Sequence, residues 1–132
     1  MTNCIFCKIA SGEIPSHKIY EDDNFLAFLD AFPFARGQSL VIPKVHLAPF
    51  LFDMDDEIYN KMLLVVKKVA MATNKYIRPL KTGILVEGLE VEHVHVKIFP
   101  LNDKGFRIVC DEQLKFSDDE MEKIALGIKS CL

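Results

Sequence analysis

The segment Glu90-Val91-Glu92-His93-Val94-His95-Val96-Lys97-Ile98-Phe99-Pro100 carries the strongest structural signal in the chain. Alternate side chains of a β-strand point to the same face of a sheet. If residues 92–99 form a strand, His93, His95 and Lys97 share one face and the apolar residues between them point into the core. Such a row of basic side chains favours contact with an anion, a metal ion or both. The alternative is an exposed polar face without a function.

Four more strands are predicted around this segment, at residues 18–21, 24–29, 38–42 and 82–87. The acidic stretch 21–24 is typical of a hairpin turn, and residues 31–37, which include Pro33, form a loop. Five strands in sequential hairpin order, with helices inserted, predict an α+β fold built on an antiparallel sheet. The length of 132 residues suits one domain, so we assign residues 1–132 to it.

Three helical segments complete the predicted fold. Residues 4–14 form a short helical turn that ends near Gly12 and Pro15. A long helix follows the acidic stretch 53–57 and ends before Pro79. Its apolar stripe consists of Ile58, Met62, Val65, Val66, Val69 and Tyr76. The last helix opens with a capping box at Ser117 and directs Met121, Ile124, Ala125 and Ile128 inward.

Composition excludes several classes of function. Half of the residues are hydrophobic and the formal net charge is −3, so neither disorder nor binding to a long nucleic acid is expected. A single nucleotide needs only a few donors and is compatible with this charge. No stretch has the length of a membrane span, and the N-terminus lacks the pattern of a signal peptide. We therefore expect a cytoplasmic protein that does not bind membranes.

The cysteines divide into two groups. Cys4 and Cys7 have the C-x-x-C spacing of a zinc or redox site, whereas Cys110 and Cys131 stand alone and are interpreted as small core residues. No strand precedes Cys4, which argues against a thioredoxin-like redox motif. A tetrahedral zinc site would need two more ligands. The chain offers four histidines for this purpose: His17, His46, His93 and His95.

A second polar feature lies where a predicted strand ends. Asp30 follows the strand 24–29, and a loop rich in proline and glycine separates it from the next strand. A carboxylate in this position is either an ordinary turn residue or an acceptor for the two hydroxyls of a ribose.

These segments together resemble the histidine-triad family, in the branch that keeps an N-terminal C-x-x-C. The resemblance covers most of residues 4–100. It rests on Cys4-Ile5-Phe6-Cys7-Lys8-Ile9, Gly12-Glu13-Ile14-Pro15, Tyr20-Glu21-Asp22-Asp23, Phe28-Leu29-Asp30, residues 37–46 and Glu90-Val91-Glu92-His93-Val94-His95.

The resemblance implies a fold and a set of site residues. The expected fold is a five-stranded antiparallel sheet with helices, joined into a ten-stranded sheet across a homodimer. His95 matches the nucleophile, and Lys97 stands beside it as a phosphate-binding group. The residues Cys4, Cys7, His46 and His93 match the ligands of a structural Zn²⁺ ion. Asp30 matches the ribose-binding acid, and Ile5, Phe6, Phe28 and Phe32 match the base pocket.

The function implied is hydrolysis or transfer of nucleoside monophosphate groups, with a purine mononucleotide derivative of the phosphoramidate type as substrate and a nucleotidyl-histidine as intermediate. Two alternatives are a dinucleoside-polyphosphate hydrolase and a catalytically weak, zinc-stabilised nucleotide-binding module.

The chain departs from the family pattern at three places. Lys97 replaces the third histidine, and an ammonium gives up a proton to a leaving group less readily than an imidazolium. Residues 86–90 form a shortened phosphate loop, with Val86 in place of an asparagine and Glu90 adding negative charge. Gln38 replaces a common histidine, a change that we expect to be minor. The first two departures point to altered substrate choice or weak activity.

Overall fold

The strands of this computed structural model form one antiparallel sheet in the order β1-β2-β3-β5-β4. The structure describes residues 3–47, 49–102 and 113–132. Along the chain the elements are α1 (Ile5–Ala10), β1 (Lys18–Glu21), β2 (Phe25–Leu29), β3 (Ser39–Pro43), a 3-10 turn (Leu51–Asp53), α2 (Asp56–Ile77), β4 (Lys81–Leu85), β5 (Val96–Leu101) and α3 (Asp118–Lys129). The predicted α+β class and five-stranded antiparallel sheet are confirmed.

The predicted sequential order of the strands is wrong. β5 pairs with both β3 and β4, so the last of the described strands lies inside the sheet and β4 forms an edge. The reason is α2, which packs across β2, β3, β5 and β4 and carries the chain to the far edge of the sheet. β5 then returns as the partner of β4 and fills the position next to β3.

Several strand boundaries also differ from the prediction. β5 begins at Val96, so His93 and His95 precede the strand instead of lying within it, and β4 ends at Leu85. β3 starts after Gln38 and includes Pro43, which lies beyond the last residue of β3 that pairs with β5. The missing N–H of a proline is tolerated at such a position.

The two faces of the sheet are covered by different helices. One face packs against α2 and α3 and contributes Ile19, Phe25, Ala27, Leu29, Val41, Val94, Val96 and Ile98 to the larger core. The opposite face packs against α1 and forms a smaller core of Phe6, Ile9, Leu26, Phe28, Leu40 and Ile42. The predicted inward direction of the apolar residues around His95 is therefore confirmed. Lys97 pairs with Leu40 and so belongs to the α1 face.

The helix ends follow the sequence signals. α2 ends at Ile77, and Arg78 takes the left-handed conformation with φ 54° just before Pro79. Ser117 caps α3, and its Oγ accepts a hydrogen bond from the Glu120 N–H at 3.2 Å. The four predicted inward residues of α3 are buried.

None of the helices described is both long and apolar enough to cross a membrane. Cys110 lies outside the described residues, while Cys131 is a half-buried free thiol against the larger core.

We expect Gly127→Ala to destabilise the protein, although alanine favours a helix over glycine by about 1 kcal/mol. A Cβ at Gly127 of α3 would overlap the ring of Tyr76 on α2. Overpacking of this kind costs about 1–3 kcal/mol, so urea unfolding should show a net loss. Leu126→Ala is the control, because Leu126 is 55% exposed and its truncation should change the free energy of unfolding much less. A more stable Gly127→Ala variant would contradict the close helix approach.

Candidate metal centre and active site

Four side chains that are far apart in the sequence meet beside α1. Cys4 caps the helix and Cys7 lies in its first turn, whereas His46 follows β3 and His93 precedes β5. Their ligand atoms all lie within 4.8 Å of one another. The structure thus brings together the complete set of predicted metal ligands.

The separations fit a tetrahedral zinc ion. The Nδ1 atom of His93 lies 3.4 Å from the Sγ of Cys4 and 3.5 Å from the Sγ of Cys7. The Nδ1 atom of His46 lies 3.4 Å from the Sγ of Cys7. With Zn–S and Zn–N bonds of about 2.3 and 2.0 Å, tetrahedral ligands are separated by roughly 3.3–3.8 Å. Two thiols and two imidazoles are also a typical structural zinc set, which leaves no open position for a water molecule.

His93 is oriented for this role by the backbone. Its Nε2 lies 2.8 Å from the carbonyl oxygen of Pro43, which can only accept a hydrogen bond, so Nε2 carries the proton and Nδ1 keeps its lone pair. Burial lowers the pKa of His93; the nearby His46 and His95 lower it further, and the bond to Pro43 opposes them. The neutral form, which is the one that binds metal, is therefore favoured.

The pKa of the Cys7 thiol is shifted in the other direction. Partial burial raises the pKa of Cys7, and the hydrogen bond and charge of Cys4 raise it further. Two thiolates side by side repel each other, and a metal ion supplies the positive charge that removes this penalty. The N–H of Cys7 donates a hydrogen bond to the Sγ of Cys4 at 3.5 Å, so Cys4 also caps the start of α1.

His95 lies next to this cluster and is nearly buried, with 4% of its surface exposed. Its Nδ1 lies 2.8 Å from the carbonyl oxygen of His93, which must accept the hydrogen bond. Nδ1 therefore carries the proton and Nε2 carries the lone pair. The ring of Phe6 packs edge to face against His95 at a centroid distance of 5.0 Å and limits its rotation. An oriented neutral imidazole is a competent nucleophile at neutral pH.

Burial removes the alternative of an idle polar face. His93 is fully buried and His95 is nearly so, whereas a solvated strand face would leave both rings in water. Burying two imidazoles is costly unless each makes specific polar contacts, and here both do.

Lys97 makes an ion pair that the sequence analysis did not identify. Its Nζ lies 3.1 Å from Oε1 of Glu87, and the two side chains are 18% and 26% exposed. Glu87 belongs to the shortened loop 86–90, in which the sequence pattern points to Glu90 as the added negative charge. Leu85 of β4 pairs with Lys97 of β5, and Glu87 follows Leu85 by two residues. This strand pairing could have revealed the contact between Glu87 and Lys97.

Asp30 is held by its loop and by Gln38. Its Oδ1 accepts a hydrogen bond from the Phe32 N–H at 3.0 Å, and its Oδ2 accepts one from Nε2 of Gln38 at 2.8 Å. Gln38, whose replacement of a common histidine we expect to be minor, is the side-chain partner of the predicted ribose acid. Both residues stand at facing ends of neighbouring strands, and that arrangement needs the strand register to be known.

The residues predicted for the base pocket differ in exposure. Phe6 and Phe28 pack edge to face, with ring centroids 6.0 Å apart, and both are buried. Ile5 is 45% exposed and Phe32 is 64% exposed, so these two side chains are free to contact a ligand. His17, one of the four histidines considered as zinc ligands, lies apart from the cluster and contacts Glu122 of α3 at 3.2 Å.

Comparison with known proteins relates the chain to one family. Residues 11–104 match the HIT domain. The chain is 39% identical to adenosine 5'-monophosphoramidase HNT1 of Saccharomyces cerevisiae, over 92% of this chain and 77% of the relative. It is 32% identical to adenylylsulfatase HINT3 of Arabidopsis thaliana, over 98% and 68%. A zinc-bound histidine triad protein of Mycobacterium smegmatis superimposes with a TM-score of 0.79 at 31% identity, over 98% of this chain and 93% of that one.

We expect Cys4→Ser to abolish stoichiometric zinc binding and to destabilise the fold. At a free zinc concentration of 1,000 times Kd, loss of the site removes about 4 kcal/mol of stabilisation. Metal analysis and thermal unfolding with and without a chelator measure both effects. Cys131→Ser is the matched control and should keep its zinc. An unchanged metal content in Cys4→Ser would refute the site.

Proposed function

This chain belongs to the HIT domain family, and we propose that it is a nucleotide hydrolase or transferase that uses His95 as its nucleophile. Its substrates are derivatives of a purine nucleoside monophosphate, of the phosphoramidate type. The names of the yeast and plant relatives, a monophosphoramidase and an adenylylsulfatase, support hydrolysis of a nucleotide derivative.

The orientation of His95 is the observation that carries this proposal. The carbonyl of His93 holds the proton on Nδ1, so the lone pair of Nε2 is available for attack. Nε2 forms a bond to the α-phosphorus while the bond from phosphorus to the leaving group breaks. The leaving nitrogen keeps the electron pair of the broken bond and takes a proton from solvent water. Water then opens the nucleotidyl-histidine, which releases the monophosphate and restores the neutral imidazole.

The cluster of metal ligands supports this reaction by fixing the residue that orients His95. Cys4, Cys7, His46 and His93 would hold a structural Zn²⁺ ion that fixes the segment before β5. Because His93 is both a ligand and the residue whose carbonyl orients His95, immobilising it also immobilises the nucleophile. Lys97 supplies positive charge for the phosphate oxygens, once it exchanges its contact with Glu87 for one with the substrate.

The remaining predicted residues are proposed to bind the nucleoside. The Asp30 carboxylate accepts hydrogen bonds from the ribose hydroxyls, and the exposed side chains of Ile5 and Phe32 contact the base. Phe6 and Phe28 lie buried behind that surface and support it.

We also propose a homodimer that pairs at the β4 edge. β4 is an edge strand, and exposed apolar side chains occur on it and on the neighbouring elements: Leu64, Met71, Leu80 and Ile84. An unpaired edge flanked by such residues is a ready surface for pairing with a second copy.

We expect His95→Ala to lower turnover of an adenosine phosphoramidate by at least about 1,000-fold, because the nucleophile is lost. Intact-protein mass spectrometry of samples quenched within seconds should show an acid-labile adduct of one nucleoside monophosphate on the wild type only. His17→Ala is the control, since His17 lies outside the site, and it should form the adduct normally. Full activity of His95→Ala would refute the mechanism.

A second candidate function, hydrolysis of dinucleoside polyphosphates, is favoured by Lys97. A fixed cation stabilises an anionic leaving group, whereas an amine leaving group needs a proton. If this is the reaction, Lys97→Met should slow cleavage of a diadenosine polyphosphate about 10-fold more than cleavage of a phosphoramidate, as lost charge-assisted contacts predict. Steady-state kinetics on both substrates measure the ratio of the two rate losses, and equal losses would contradict this candidate.

Nucleotide binding without adduct or product would favour the binding-module alternative.

A further inference from the structure

The side chain of Gln38 is buried between the carboxylate of Asp30 and the loop that joins β2 to β3. Only 1% of Gln38 is exposed. Its Oε1 accepts a hydrogen bond from the Phe34 N–H at 2.8 Å, and its Nε2 donates one to Oδ2 of Asp30 at 2.8 Å. Both ends of the amide are therefore used by protein groups.

The loop determines which way this amide points. A backbone N–H can only donate, so the oxygen of Gln38 must face Phe34 and the NH₂ group must face Asp30. Gln38 also meets Asp30 through the backbone, where the Asp30 N–H donates to the Gln38 carbonyl at 3.0 Å. The donor that faces the carboxylate is thus fixed before any ligand arrives.

The same contacts leave part of the Asp30 carboxylate free. Two oxygens offer about four acceptor sites, and the Phe32 N–H and the Gln38 amide each occupy one. With respect to the residues that the structure describes, about one site on each oxygen remains. Two hydroxyls on adjacent carbons, as in a ribose, are the matching pair of donors, and a phosphate or other anion is disfavoured there.

Asp30 and Gln38 lie on the face of the sheet that carries the proposed chemistry. Leu40 pairs with Phe28 on one side and with Lys97 on the other, and all three belong to the α1 face. Asp30 is two residues after Phe28 and Gln38 is two residues before Leu40, so the alternation of strand side chains places them on that face.

We propose that Gln38 is a positioning residue which fixes the Asp30 carboxylate for a ribose diol and so makes the protein selective for ribonucleotides over 2'-deoxyribonucleotides. This inference rests on the proposed function, because it assumes that the site binds a nucleotide. Gln38 does not touch the substrate; it acts only through Asp30.

The test compares the dissociation constants of AMP and 2'-deoxy-AMP, measured by calorimetry on the full-length, zinc-loaded protein. The wild type should prefer AMP by about 10-fold or more, since one hydrogen bond to a charged group is lost with the 2'-hydroxyl. Gln38→Leu removes both the donor to Asp30 and the acceptor for the Phe34 N–H. It should lose most of this preference through weaker AMP binding.

Two further variants separate positioning from stability. Gln38→Met has an unbranched side chain like that of glutamine but no N–H donor, and it should lose the preference as well, so it decides the question if Gln38→Leu does not fold. Ser39→Ala is the matched control. Ser39 is the next residue, it is fully buried on the opposite face, and its Oγ has no hydrogen-bond partner among the described residues. This variant should keep the preference of the wild type.

The kinetic readout should agree with the binding readout. With a ribonucleotide phosphoramidate, both Gln38 variants should raise KM while kcat changes less than KM. A wild type without preference for AMP, or Gln38 variants that keep it, would overturn the positioning role. A wild type that prefers AMP but never forms the histidine adduct would instead overturn the proposed reaction and leave the role of Gln38 standing.

Discussion

The position of His93 is the constraint on which the rest of the site depends. One ring nitrogen donates to the carbonyl of Pro43 at the end of β3, and the other faces the two thiols. Its backbone carbonyl accepts the proton of His95. A single residue therefore links the sheet, the metal cluster and the proposed nucleophile. Any displacement of His93 would change the direction of the lone pair on His95.

The metal cluster also explains how so short a helix can be ordered. α1 has six residues, far fewer than an isolated helix needs in water. It buries only Phe6 and Ile9 against the sheet. Four ligands drawn from α1 and from the segments beside β3 and β5 would anchor it firmly once metal is bound. The ring of Phe6 contacts the rings of both His93 and His95, so an ordered α1 also restricts the motion of these two side chains.

The charged groups of the site are partnered within the protein. Lys97 is paired with Glu87, and Asp30 is held by Gln38 and a backbone N–H. The two arrangements differ in what a ligand must do. The amide of Gln38 leaves acceptor sites open on Asp30, so a ligand adds contacts there. The Glu87 carboxylate competes directly with a phosphate for Lys97, so binding there exchanges one anion for another and yields less net free energy.

The sequence by itself determined most of the helices and strands and the alternation of core-facing residues, because both depend on local spacing, and its resemblance to the histidine-triad family supplied the full set of ligand residues. The period of two around His95, the stripe of α2 and the capping box at Ser117 all describe neighbours along the chain. The tertiary structure decided which strands pair, since α2 places β4 at the edge and β5 inside the sheet. It also decided the partners Glu87 and Gln38, because a hydrogen bond across strands depends on register, and register is set by packing of the whole sheet.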